Sequence, residues 1–232
     1  MLFRSKVALQ EAPFIPGLFH FNEFLTSKEC QEIVEDVIGC HYFNSVQGRD
    51  QAVLFGLRNN SSNNDTIQDE SQSNGLPDWA QILLRLIEER LRTIYEDIIE
   101  KDTLDILYNP SSTQTEKIEY TRQMILNIYT PGQGIADHID IPHRFLDGIM
   151  ILSFGSGISM NFAPTVTQKD SDDKPFSLYL QPGSICILTG KSRWEWTHGI
   201  SAQTSDLVHD KETDQVHKIE RSARFKIGRA HV

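Results

Sequence analysis

Cysteine is scarce in this chain of 232 residues. Cys30, Cys40 and Cys186 are the only three, with no CxxC and no even framework. That excludes a disulfide-stapled scaffold and fits free thiols in a reducing compartment, so a cytoplasmic or nuclear location is expected. Long apolar runs are lacking as well. No stretch approaches the roughly 18 residues that span a bilayer, and "MLFRSKVALQEAPF" has no continuous apolar core of a secretory signal. No membrane partner is expected. Basic excess is the third absence: 22 Lys and Arg stand against 32 Asp and Glu, a net charge of −10. This argues against a sequence-independent duplex binder, which needs cations for phosphates, while leaving room for a local basic groove. Internal repeats are absent.

What is present suffices for a folded core, and the pattern changes once along the chain. "FLTSKECQEIVEDVIG" predicts a first helix, with a capping box at Thr26 and Glu29 and an apolar face of Cys30, Ile33, Val34 and Val37. "LPDWAQILLRLIEERLRTIYEDIIEK" predicts a second. Pro77 opens it, and Ala80, Leu83, Leu84, Ile87, Leu91, Ile94 and Ile98 recur at helical spacing. Residues 59–75 and 109–117 are polar and predict surface loops. From about residue 120 short strands take over: "RQMILNIY", "GIMILSF", "ISMNF", "SLYLQ", "SICILTG" and "IERSARF", punctuated by Pro131-Gly132 and Pro182-Gly183. Strands so spaced predict a sandwich or jelly roll with the helices against one outer face. The expected fold class is therefore α+β. Residues 1–118 would be an N-terminal helical and lid region of the same domain as a core over 119–232.

The chemistry concentrates in "GQGIADHID", where His138 and Asp140 are two apart. Residues i and i+2 of a strand share a face, so both side chains can reach one ion. The spacing alone is weak evidence, because a chain with 8 His and 17 Asp in 232 residues contains such a pair by chance about every second time. A third ligand from a distant strand is needed. Among the remaining histidines His198 in "SRWEWTHGI" is the candidate: it follows "SICILTG", has Trp194 and Trp196 beside it, and precedes a glycine. His143 is too near, while His209 and His217 fall in polar loop sequence. Two histidines and one carboxylate leave coordination positions open, as in non-haem Fe(II) oxygenases.

"LNIYTPGQGIADHID", "ILSFGSGISMNF" and "LQPGSICILTGKSRWEWTHGI", in this order, resemble the AlkB family of Fe(II)/2-oxoglutarate-dependent dioxygenases. The likeness is close over residues 120–226 and weaker upstream, through "RDQAVLFG" and "GLPDW". Within the family it is greatest to the branch that hydroxylates modified wobble uridines in tRNA. The resemblance implies a double-stranded β-helix core, His138, Asp140 and His198 as iron ligands, and 2-oxoglutarate and O₂ as co-substrates. It also matches Asn127 and Tyr129 to a co-substrate-binding N-x-Y pair. The family's R-x-S-x-T-x-R strand places its first arginine at Arg224, a guanidinium suited to a carboxylate; Arg221 is the competing assignment. The rest of that motif departs from the pattern: Lys226 stands for the serine, Gly228 for the threonine and Ala230 for the second arginine. The terminal strand is accordingly expected to be truncated or non-native from about residue 226.

A base substrate would be unstacked and held between aromatic and cationic groups. Arg193 and Trp194 near the metal, and Arg49, Phe55 and Arg58 as a lid, are the substrate candidates. Three readings stay open. The first is an oxygenase on a modified nucleobase, with tRNA as substrate, a monomer helped onto RNA by a partner protein. The second is an AlkB-like oxygenase on alkylated DNA or a protein side chain. The third is an inactive metal-binding interaction protein.

Overall fold

Alternation along the strands sorts the apolar side chains into two cores, one on each face of a central sheet. The computed structural model describes residues 7–43, 50–56, 76–108, 122–165 and 173–231. The central sheet has six strands in the order β2 (Leu18–Phe21), β9 (Ile185–Leu188), β6 (Ile149–Gly155), β13 (Arg224–His231), β4 (Arg122–Tyr129) and β3 (Gln51–Gly56). Facing it is a four-stranded sheet in the order β5 (Ile135–His138), β10 (Trp196–Ile200), β7 (Ile158–Pro164) and β8 (Phe176–Leu180). Ile149, Ile151, Cys186 and Leu188 from the first sheet meet Met160, Phe162, Leu178 and Trp196 from the second, filling the interior of a jelly roll.

The opposite face of the six-stranded sheet carries Met124, Leu126, Met150, Leu152, Phe154, Phe225 and Ile227, and the helices cover it. The first helix, α1 (Ser27–Gly39), starts where the sequence predicts. Thr26 N donates to Glu29 Oε2 at 2.8 Å, Glu29 N donates back to Thr26 Oγ1 at 3.3 Å, and Ile33 and Val37 are buried. Arg90 on α2 (Asp78–Thr93) donates to Glu29 Oε1 at 2.6 Å and to the Phe24 carbonyl, tying the two helices together.

The second helix is shorter than its apolar spacing predicts. It stops at Thr93, and Ile94 and Ile98 are 65% and 56% exposed instead of continuing the buried stripe. The chain turns there because Tyr95 packs on Phe21 and Phe24, with ring centroids 4.0 and 5.6 Å away, and a separate α3 (Lys101–Tyr108) follows. "IERSARF" likewise divides, into β12 (Gln215–Glu220) and β13, with Arg221 to Ala223 between them. Histidines 209 and 217, expected in a loop, instead lie on the hairpin of β11 (Ser205–Asp210) and β12, which with β1 (Val7–Ala8) makes a third sheet. Residues from 226 onward continue β13 between β6 and β4, Gly228 pairing with both Ile151 and Ile125. The predicted polar loops at 59–75 and 109–117 lie outside the described residues. Among those described, no helix is long and apolar enough to cross a membrane.

Candidate metal centre

The pairing of β5 with β10 sets His138 and His198 opposite each other as register partners. Such close approach requires glycine after the second histidine: a Cβ at Gly199 would lie 2.2 Å from Asp137 Oδ1 and 2.8 Å from Asp137 Cα. Asp140 follows just past the end of β5, and one ligand atom from each of His138, Asp140 and His198 lies within 4.8 Å of the others. His138 Nε2 is 3.7 Å from Asp140 Oδ1, His198 Nε2 is 3.5 Å from Asp140 Oδ2, and the two ring centroids are 4.6 Å apart.

The donor set suits a divalent cation. His138 Nδ1 donates to the Ala136 carbonyl at 2.8 Å, which fixes the tautomer and leaves the Nε2 lone pair facing inward. His198 is 4% exposed, and among the described residues its buried Nε2, 3.5 Å from Asp140 Oδ2, finds no hydrogen-bond partner. Burial pushes the Asp140 carboxyl up, but the His138 imidazole 3.7 Å away and the neighbouring cationic groups outweigh it and hold its pKa at about 2. Burial lowers His198 to about 3, and the Asp140 carboxylate beside it raises His138. At neutral pH the carboxylate is thus ionised and the buried imidazole neutral, the protonation a metal requires.

Beside the three residues is a cavity of about 120 Å³, whose walls include Gln51, Asn127, Tyr129, His138, Asp140 and Lys226. Asn127 and Tyr129, two apart on β4, share its wall. Arg224 lies on the inward face of β13 and is 2% exposed, its Nη2 donating to Ser153 Oγ at 2.9 Å. Among the described residues its buried Nε and Nη1 find no partner, and its Cζ lies 5.8 Å from the Tyr129 ring. A buried guanidinium fork with unmatched donors is suited to a carboxylate. Arg221 is elsewhere: it grips Asp206 through Nε at 2.7 Å and Nη2 at 2.8 Å in a buried ion pair. Lys226 reaches the cavity, and burial lowers its pKa to about 8.

The expected substrate residues divide. Trp194 is 38% exposed, with the Arg193 guanidinium 4.2 Å from its ring centroid. Arg193 itself is only 2% exposed and close enough to Asp140 and His198 to influence both electrostatically. Its Nη2 donates to the Phe145 carbonyl at 3.1 Å, clasping α4 (Gly190–Trp194) to the loop that follows Asp140. Asp147 closes the clasp from the other side by accepting from Gly190 N at 3.0 Å. Arg49 and Arg58, and the side chain of Phe55, lie outside the described residues. Gln51 was not foreseeable from local pattern, because only the β3–β4 register brings it to the cavity. Lys226 had a signal in its departure from the arginine-strand motif.

Comparison with known proteins agrees with this geometry. Residues 17–228 match the 2OG-Fe(II) oxygenase superfamily. The chain is 32% identical over 203 residues to tRNA (carboxymethyluridine(34)-5-O)-methyltransferase ALKBH8 of Macaca fascicularis, a match that covers 85% of this chain and 26% of that protein. It is 27% identical over 209 residues to the Alkylated DNA repair protein ALKBH8 homolog of Arabidopsis thaliana, covering 85% of this chain and 54% of that one. The chain thus spans about a quarter to a half of the length of these relatives. Among solved structures OsALKBH1 shares the fold, with a TM-score of 0.50 and 18% identity over 94% of this chain and all of that one.

Proposed function

The chain belongs to the 2OG-Fe(II) oxygenase superfamily, and from that premise we propose that it oxidises a C–H bond of a modified nucleobase, in tRNA. The observation that carries the reading is the convergence of His138, Asp140 and His198 beside a cavity that offers hydrogen-bonding groups. The enzyme class is a 2-oxoglutarate-dependent dioxygenase, with Fe(II), 2-oxoglutarate and O₂ as its requirements. In this reading His138, Asp140 and His198 hold the iron, and Asn127, Tyr129 and Arg224 hold the co-substrate. When bound, the iron would let O₂ serve as the oxidant, with two electrons drawn from 2-oxoglutarate, which leaves as succinate and CO₂, and two from the substrate C–H bond; the hydroxylated product on an N-methyl group releases formaldehyde and on a stable carbon remains an alcohol.

The protein's own task is placement and exclusion of water. His138, its Nδ1–H held by the Ala136 carbonyl, turns Nε2 toward the cluster, and the buried His198 stays neutral, so metal binding displaces a proton only at His138, whose pKa the neighbouring Asp140 raises. Asp140 brings the one negative charge. Arg224 offers Nε–H and Nη1–H to a dianion in a dry setting, where charge-assisted bonds are strong. The tRNA assignment draws on relatives whose names specify a wobble uridine, and alkylated DNA is the second reading because one relative is named for its repair. With a net charge of −10, RNA affinity would be assisted by a partner protein.

Two measurements test this. Protein loaded with Fe(II) should convert 2-oxoglutarate to succinate, and His138→Ala should not; equal release from both ends the enzymatic reading. Mass spectrometry of nucleosides from tRNA and alkylated DNA incubated with the enzyme should show an oxidised base in tRNA. Oxidation of DNA alone overturns the substrate assignment and leaves the enzyme class standing.

A further inference from the structure

We infer that Gln51 is a positioning residue for the co-substrate, acting through Asn127; the inference rests on the reading of Asn127 as a 2-oxoglutarate contact. Gln51 and Asn127 are register partners on the antiparallel strands β3 and β4, and both side chains line the cavity. Gln51 Nε2 donates to Asn127 Oδ1 at 2.7 Å. An amide has a donor end and an acceptor end, and occupying one end determines what the other presents. With its oxygen taken by β3, Asn127 has its Nδ2 hydrogens left for a ligand, and among the described residues nothing accepts them.

The electrostatic consequence is large for a small group. A carboxylate accepts hydrogen bonds and donates none, so only the Nδ2 end of Asn127 attracts it; the oxygen end repels it. Without Gln51 the Asn127 amide turns freely about its last torsion, and a ligand must select and freeze the productive half of the rotamers. Edge position makes Gln51 suited to this task and to little else. Strand β3 is the last of its sheet, and Gln51 is exposed, so its side chain does not fill the core. Its backbone register is secured independently, by Ile128 N donating to the Asp50 carbonyl at 2.9 Å.

The test is a double-mutant cycle read by calorimetric titration of 2-oxoglutarate into manganese-loaded protein, where no turnover occurs. Gln51→Met keeps the length and removes the donor; it should weaken binding about three- to tenfold, the loss of one modest hydrogen-bond effect. Asn127→Ala should weaken it at least as much. The double variant should bind no worse than Asn127→Ala alone, because the residue through which Gln51 acts is gone. In turnover, Gln51→Met should raise KM for 2-oxoglutarate and leave kcat near the wild-type value. Gln51→Thr serves as a second variant if the first fails to fold. Wild-type affinity in Gln51→Met, or a loss that persists in full in the Asn127→Ala background, overturns the inference. Failure of the wild-type protein to bind 2-oxoglutarate at all overturns the underlying co-substrate assignment instead.

Discussion

Two arginines three residues apart in the sequence have opposite energetic roles. Arg221 has a full partner: Asp206 receives two of its nitrogens and the Ser201 carbonyl receives a third at 2.8 Å. Arg224 is as deeply buried, but among the described residues its Nε and Nη1 find no partner, and burial lowers its pKa to about 10. A charge held so is a cost to stability, which a ligand would offset. Arg224→Met should therefore raise KM for 2-oxoglutarate about 10- to 100-fold, the loss of a charge-assisted bidentate contact. Thermal denaturation should show Tm unchanged or higher. A marked fall in Tm with an unchanged KM would assign Arg224 a structural role. At this scale the sequence was most legible where a residue's chemistry is spelled by its neighbours, as in "HID" and "WTHG". The direction of the Arg193 side chain, inward to the Phe145 carbonyl, was not legible. Nothing in "KSRWEW" says which way a guanidinium faces, since Arg is as fit for a carbonyl clasp as for a substrate.

The open end of the β11–β12 hairpin is braced by that Arg221–Asp206 pair, where the chain leaves β12 for β13. Asp206 is 1% exposed; burial raises its carboxyl, and Arg221 more than offsets this, so the folded pKa is below the ordinary value. A depressed folded pKa contributes stability that is fully present above the unfolded value of about 3.9 and is lost as pH falls through the folded one. Arg221→Met should cost about 3–5 kcal/mol by stranding the carboxylate, measured by urea unfolding at neutral pH. The deficit relative to wild type should shrink in acid, where Asp206 is protonated in both states. A deficit independent of pH would mean lost packing, not the ion pair. Among the elements, the start of α1 was legible to the residue because its capping box is local. The end of α2 was not: the apolar period runs on through Ile98, and only the packing of Tyr95 on Phe21, a tertiary contact, breaks it.

For the whole molecule, the layered architecture followed from the change of period near residue 120, helical before and strand-like after. What that change could not show is the contribution of the first half to the sheets. Strands β2 and β3 close the two edges of the six-stranded sheet, pairing with β9 and β4 across more than 65 residues of sequence, and no local pattern encodes such pairing. The consequence is functional, because the cavity wall at Gln51 belongs to one of those edges. Fold and candidate site are thus one construction: two sheets facing each other, with β5 and β10 meeting at the open end to set two imidazoles and a carboxylate around a single point. Crystals soaked in Mn²⁺ and measured for anomalous scattering test that directly. One peak per chain is predicted, at bonding distance of about 2.0–2.2 Å from Nε2 of His138, Nε2 of His198 and an oxygen of Asp140, and absent in His198→Ala. A peak elsewhere, or none with all three side chains in place, would contradict the account.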